Sequence, residues 1–364
     1  MVGGDARPGP RRAARLRAAA QAARPLDRGA LEEHHGRRQV GVDDGSPVAP
    51  DRPALVGRNA VDRLYRAALT GLALSLPLLL VALLAELVAS AWPAITRFGV
   101  RFLWTSVWDP VAGVFGAAPM IFGTLASSLL ALLFAVPLAL GVAIYLTEFS
   151  PKWLRQPVAF LVELLAAIPS VVYGLWGIFV LIPFLRGYVV PPLRGVLGWT
   201  PFLQGVFYGN SLLAGGVILA IMIVPYIAAV SREVLLAVPS SQREAALGMG
   251  ATRWEAVWTA VVPYGRAGLI GAVILGLGRA LGETMAVTML IGNRHDIGLS
   301  VLQPAYTMAA AVANEFSEAT TNLYLSALFE VGLILFVVTV VVNALARLMI
   351  WRVARGTAVG SRAL

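Results

Sequence analysis

Six long apolar runs, at residues 69–92, 120–146, 157–185, 211–230, 267–292 and 323–351, constrain this chain more than any other feature. Each can cross about 30 Å of hydrocarbon as a helix. A bilayer offers no water to backbone N–H and C=O groups, so runs of this length must be helical whatever their β-branched content. The fold class that follows is an all-α integral membrane protein with six transmembrane helices. Pro77, Pro137, Pro169 and Pro225 fall inside the runs and predict kinks.

The charges are arranged around these runs. With 58% hydrophobic and 13% charged residues, a net charge of +9 could suggest nucleic acid, but the arginines crowd into the first sixty residues and the short loops. A membrane surface accounts for that pattern better, and no nucleic acid is expected as a partner. An even number of spans places both termini on one side. The Arg-rich start, with Arg347, Arg352 and Arg355 after the last run, assigns that side to the cytoplasm. Lys152 and Arg155 in one predicted inner loop, and Arg232, Arg243 and Arg253 in the other, agree with this orientation. Trp92, Trp104, Trp108, Trp199 and Tyr208 then fall at the outer interface. Residues 1–60 carry no sustained apolar run and are expected to be a disordered cytoplasmic tail, leaving 61–355 as the membrane domain.

Several chemistries are excluded. Cysteine is absent, which removes disulfides, thiolate metal sites and a cysteine nucleophile. The one lysine, Lys152, follows Glu148-Phe149-Ser150-Pro151, which lacks the glycines of a phosphate-cradling loop. His34, His35 and His295 lack ligand spacing and carboxylate companions, so no metal site is expected. Glu86, Glu163 and Glu330 read as carboxylates reaching an interface.

The long inner loop, 231–266, carries two helix-start signals, Ser241 with Glu244 and Thr252 with Glu255. Gly248 and Gly250 between them permit a sharp turn, so the local prediction is helix, glycine turn, helix. The fifth run contains Arg279 and Glu283, four residues apart and therefore on one face of a continuous helix. Intramembrane charges cost about 2.5–3.5 kcal/mol each on insertion scales, which makes them candidates for function. A self-neutralising ion pair that fixes helix packing is the structural alternative. Gly278 and Gly282 form a small-xxx-small pattern suited to close packing. Arg279 offers a planar fork that suits oxyanions. Ser170 and Thr284 can donate hydrogen bonds near membrane depth, to a solute or to their own helix.

Glu244-Ala245-Ala246, Gly250 and Pro263 resemble the EAA loop of bacterial ABC importer permeases, although Ala260 and Val262 stand where that family has bulkier aliphatic residues. Glu163 to Gly177 and Gly278 to Val287 resemble the PstC-type permease subunits of phosphate importers, and the similarity runs from about 60 to 352. The resemblance implies a non-catalytic subunit of a type I ABC importer in the bacterial cytoplasmic membrane. Its expected partners are a PstA-type second permease, an ATPase dimer, an extracytoplasmic phosphate-binding protein, phosphate and membrane lipid. No cofactor is expected on this chain, with ATP and Mg on the ATPase. Glu244, Ala245, Ala246 and Gly250 would form the ATPase contact, with Glu244 either capping its own helix or meeting the partner. Arg279 and Glu283, with Ser170 and Thr284, would line the substrate path. The residues alone also allow a permease for molybdate or sulfate, an ion-gradient transporter, or a sensor.

Overall fold

The computed structural model describes residues 56–360, with side chains from 61 to 352. His34, His35, the Arg355 side chain and most of the expected tail lie outside the described residues. The chain divides into two units after Thr70, so the start of the first helix, 56–70, belongs to the first unit and everything else discussed below to the second.

Among the described residues the structure is helical, with only two isolated backbone bridges. Six helices are long and apolar enough to span a membrane, as the sequence requires. They are α1 (Val56–Phe98), α2 (Ala118–Phe149), α4 (Ser170–Leu197), α5 (Leu212–Leu236), α7 (Arg253–Leu281) and α10 (Asn322–Gly360). Four shorter helices complete the set: α3 (Lys152–Ala166), α6 (Ser240–Gly248), α8 (Met285–Ile291) and α9 (Met308–Glu315). Below, the coupling face is the end of the bundle carrying α6, and the far face is the opposite end.

The most buried span, α5, packs against α2, α7 and α8. The sequence reason is a stripe of alanines on α2. Ala131, Ala135, Ala139 and Ala143 recur every fourth position, share one face and are fully buried. In lipid, small residues at that spacing drive association by allowing close backbone approach. Gly276 does the same for α7, since a Cβ there would lie 2.5 Å from Ile227 of α5.

The third predicted span differs from the structure. The run 157–185 is split, and the spanning helix begins at Ser170 and extends to Leu197. Pro169 is responsible: it disfavours helical backbone at Ile168 and serves as the N-cap of α4. The preceding residues form a separate helix, α3, with exposed Phe160, Leu161, Leu164 and Leu165. Its freed last-turn carbonyls are satisfied from the core: Tyr173 donates its hydroxyl to Leu165 O at 2.8 Å and Tyr226 to Ala166 O at 3.4 Å. The other three prolines lie inside continuous helices.

The fifth run, expected to reach 292, is also interrupted. Helix α7 ends at Leu281, Gly282 caps it, and α8 starts at Met285. Beyond α8 the chain does not lie on the surface as a simple loop. Gly292 turns it with φ 96°, and the irregular segment runs back against the bundle. There Leu212 N–H bonds Gln303 O at 2.9 Å, Leu213 N–H bonds Val301 O at 2.7 Å, and Met308 N–H bonds Thr124 Oγ1 at 2.9 Å. Irregular backbone at membrane depth has to be satisfied by protein or by a water-filled cavity, and here these bonds come from protein.

Candidate functional site

Arg279 sits in the last turn of α7, immediately before the interruption, and is partly buried. Its guanidinium carbon lies 4.2 Å from the centroid of the Tyr226 ring on α5. Such stacking is worth about 0.5–2 kcal/mol and leaves the edge of the fork free. Arg279 Nε is buried without a hydrogen-bond partner among the described residues. Tyr173, three residues into α4 beyond Ser170, lies within the electrostatic range of Arg279. Helices α4 and α8 meet tightly here, since a Cβ on Gly174 would fall 2.5 Å from Met289 Sδ. The structure thus brings α4, α5 and the α7/α8 break together around one cation.

Glu283 does not share a helix face with Arg279. It lies in the break, and no ion pair joins the two among the described residues. The glycine at 282 ends the helix one residue too early for the i, i+4 geometry. Thr284 bonds locally, donating to Gly282 O at 3.3 Å, while its own carbonyl accepts from Thr288. Ser170 is the first residue of α4.

On the coupling face, α6 and α7 form the expected helix, turn, helix. Thr252 and Glu255 make the second capping box: Thr252 N–H donates to Glu255 Oε2 at 2.8 Å and Glu255 N–H to Thr252 Oγ1 at 3.3 Å. The first box is absent. Pro239 occupies the N-cap of α6, two residues earlier than a Ser241 cap would require, and no side chain caps it. Glu244 is therefore exposed and bonds nothing among the described residues, which leaves its carboxylate available to a partner. The turn rests on Gly250 alone, at φ 90°, while Gly248 ends the helix in ordinary conformation. Gly250 N–H bonds Leu247 O and Ala251 N–H bonds Ala246 O, the paired bonds of a Schellman stop. Ala246 is buried and Ala245 exposed, with Met249 at the tip 84% exposed.

Sequence reasoning counted Arg243 only as a loop cation, but it anchors α6 to two spans. Its Nη2 is 2.9 Å from Glu148 Oε1 in the last turn of α2, and its Nε reaches both oxygens of Glu148. It also donates to Val238 O at 2.6 Å and Leu235 O at 2.7 Å, at the end of α5. The 95 residues separating the pair hid it from any local pattern.

At the far face, His295 does have a carboxylate companion, contrary to expectation. Its Nε2 lies 3.3 Å from Glu315 Oε1, and Trp108 Nε1 and Tyr324 OH donate to Glu315 Oε2 at 2.6 and 2.8 Å. Burial pushes the Glu315 carboxyl up, but the adjacent His295 ring and the Tyr324 and Trp108 donors outweigh it and hold the group below the usual carboxylate range. Trp108 is thus part of this cluster, while Trp92, Trp104, Trp199 and Tyr208 are exposed. No cluster suited to a metal occurs among the described residues. Glu86 and Glu163 are exposed, whereas Glu330 is 6% exposed with Oε2 unpartnered, which departs from an interfacial carboxylate.

Six spans, the fifth broken beside a stacked, partly buried arginine, and a capped hairpin between the fourth and fifth, define the class as a polytopic solute permease subunit. The family model described as "Binding-protein-dependent transport system inner membrane component" matches residues 135–355. The PstC phosphate transport permease of Mesorhizobium japonicum is 46% identical over 311 residues, covering 84% of this chain and 95% of that one. The Haemophilus influenzae PstC is 47% identical over 294 residues, covering 80% and 93%, and that of Pasteurella multocida 44% over 304, covering 82% and 95%. The chain belongs to the binding-protein-dependent transport permease family, in its PstC group.

Proposed function

We propose that this chain is the membrane-spanning subunit of an ATP-binding-cassette importer that moves inorganic phosphate into the cytoplasm by alternating access. The names of its relatives support phosphate as cargo. The observation that carries the site is Arg279, held over Tyr226 beside the α7/α8 break with Nε unpartnered. A stacked guanidinium keeps its in-plane donors for a tetrahedral oxyanion. Glu283, displaced from Arg279 by the break, accepts a hydrogen bond from a phosphate that still carries a proton, which fully ionised sulfate cannot give. Ser170 and Thr284 supply hydroxyls along the path. Residues 61–355 form the permease domain and 1–60 a cytoplasmic tail, and both termini face the cytoplasm.

The chain itself performs no chemistry in this reading. ATP and Mg belong to an ATPase dimer that receives α6 through Glu244, Ala245, Ala246 and Gly250, beside a PstA-type second permease and below an extracytoplasmic phosphate-binding protein. Alternating access follows if closure of the ATPases moves α6 and, through Arg243, the inner ends of α2 and α5 together.

The test is uptake of labelled phosphate at low external concentration, in cells stripped of their own transporter and supplied with this chain and its partners. Arg279→Ala should cut uptake at least about 100-fold, the value of two charge-assisted hydrogen bonds. Competition by excess phosphate but not sulfate fixes the cargo, and uptake indifferent to Arg279 would refute the site. A Glu283→Gln variant that keeps the original preference for phosphate over sulfate would refute the role of Glu283.

A further inference from the structure

The far face holds two arginines that the translocation path does not use. Arg97, at the end of α1, and Arg101, in the short turn that follows, both line one cavity of about 410 Å³, together with Phe102, Thr105, Val114 and Phe115. That volume holds on the order of ten waters, ample for a hydrated oxyanion. Neither guanidinium forms an ion pair or hydrogen bond with another described residue, and Arg97 only rests against the Phe98 ring at 5.7 Å.

The acid nearest in sequence is already committed. Asp109 Oδ1 accepts from Val111 N–H at 2.9 Å and Ala112 N–H at 3.0 Å, and its backbone pairs with Val114. These bonds fix the rim of the cavity. Gly113, at φ 63°, completes the turn, and a Cβ there would approach Arg97 Nη2 at 4.0 Å. The hydroxyl proton of Thr105 is likewise committed, to Arg101 O at 2.9 Å. The back wall is rigid: Phe115 stacks on Tyr324 at 5.3 Å and meets Trp108 edge-on at 4.9 Å. The two guanidiniums are thus the cavity's free donors, in a concave site with no internal counter-charge. Cations on this face also run against the charge bias of a membrane protein oriented as proposed above.

We infer that Arg97 and Arg101 form a second oxyanion site, separate from the translocation path, that takes a phosphate group: inorganic phosphate, or the headgroup phosphate of an anionic lipid at the end of α1. Two planar forks four residues apart suit a tetrahedral ligand with several acceptor oxygens.

The test uses the assembled complex carrying Arg279→Ala, so that the path site contributes nothing and failure of uptake leaves the measurement intact. Thermal unfolding is followed in phosphatidylcholine nanodiscs, with inorganic phosphate titrated in one arm and phosphatidylglycerol replacing part of the lipid in the other. A rise in midpoint with phosphate alone identifies the free ion as the ligand, and a rise with phosphatidylglycerol alone the headgroup. In either arm R97Q/R101Q should raise the half-effective concentration at least about tenfold, and R97K/R101K, which keeps charge but loses the fork, should recover only part. Arg101→Gln, at a guanidinium with no ion pair or hydrogen bond to another described residue, should weaken binding several-fold and serves if the double variant does not assemble. A midpoint insensitive to both ligands, or equally sensitive with the arginines replaced, overturns the site, and would leave the cavity to a carboxylate of a protein partner.

Discussion

Replacing Arg243 by alanine removes a guanidinium that joins three elements at the coupling face. It is 25% exposed and its partner Glu148 14%. The substitution strips Glu148 of its counter-ion and frees the Leu235 and Val238 carbonyls at the end of α5. Removing one member of a fully buried pair costs about 3–5 kcal/mol. Partial exposure admits water and reduces this to about 2–3 kcal/mol. A double-mutant cycle with Glu148→Gln, read by unfolding in mixed micelles, should give a coupling energy above about 1 kcal/mol. Arg243→Lys should keep the ion pair but not both carbonyl bonds, and fall between wild type and alanine. If α6 drives the spans through Arg243, then in the assembled transporter Arg243→Ala should lower uptake more than ATP hydrolysis, because the knob still docks but no longer pulls on α2 and α5. A coupling energy near zero with unchanged uptake would refute the argument.

Three further outcomes are expected. Tyr226→Phe keeps the ring under Arg279 and should bind phosphate nearly as wild type, whereas Tyr226→Ala loses about 0.5–2 kcal/mol of cation–π contact and should weaken half-saturation of uptake several-fold. Gly250→Ala meets no atom within 4 Å, so its cost is purely that of a side chain at φ 90°, about 1–2 kcal/mol, visible as faster proteolysis of the hairpin. Glu315 has a lowered folded-state pKa, so its contribution to stability is present above the ordinary glutamate value of about 4.3 and is lost as pH falls through the lower folded value. Acid titration of the unfolding midpoint should show this loss in wild type and a flatter profile in Glu315→Gln.

The spans were legible because the bilayer permits no alternative to helix for such runs, and the Thr252–Glu255 box because it is complete within four residues. The Ser241–Glu244 box failed on equally local grounds: Pro239 sets the start of α6 and takes the cap position itself. The breaks at Pro169 and Gly282 were written in the sequence but masked by apolar neighbours, which read as one continuous run in each case. The partners of Arg243 and His295 were not legible. Glu148 and Glu315 are brought to them by packing of α2, α5 and α9, and neither spacing nor periodicity encodes a contact of that kind.

The break between α7 and α8 turns one transmembrane helix into a lever with a pivot. From Arg253 to Leu281 the rod counts 29 residues. At 1.5 Å per residue it is about 43 Å long, so a tilt of about 5° at one end displaces the other by about 4 Å. Arg279 sits on the final turn beside the pivot, and α8 on the other side is packed against α4 at Gly174. With the pivot there, a swing of about 4 Å at the hairpin tilts the rod by about 5° but shifts Arg279, about 5 Å from the pivot, by well under 1 Å, so such a swing would reach the charge as a change of angle rather than of place, without any span having to unfold.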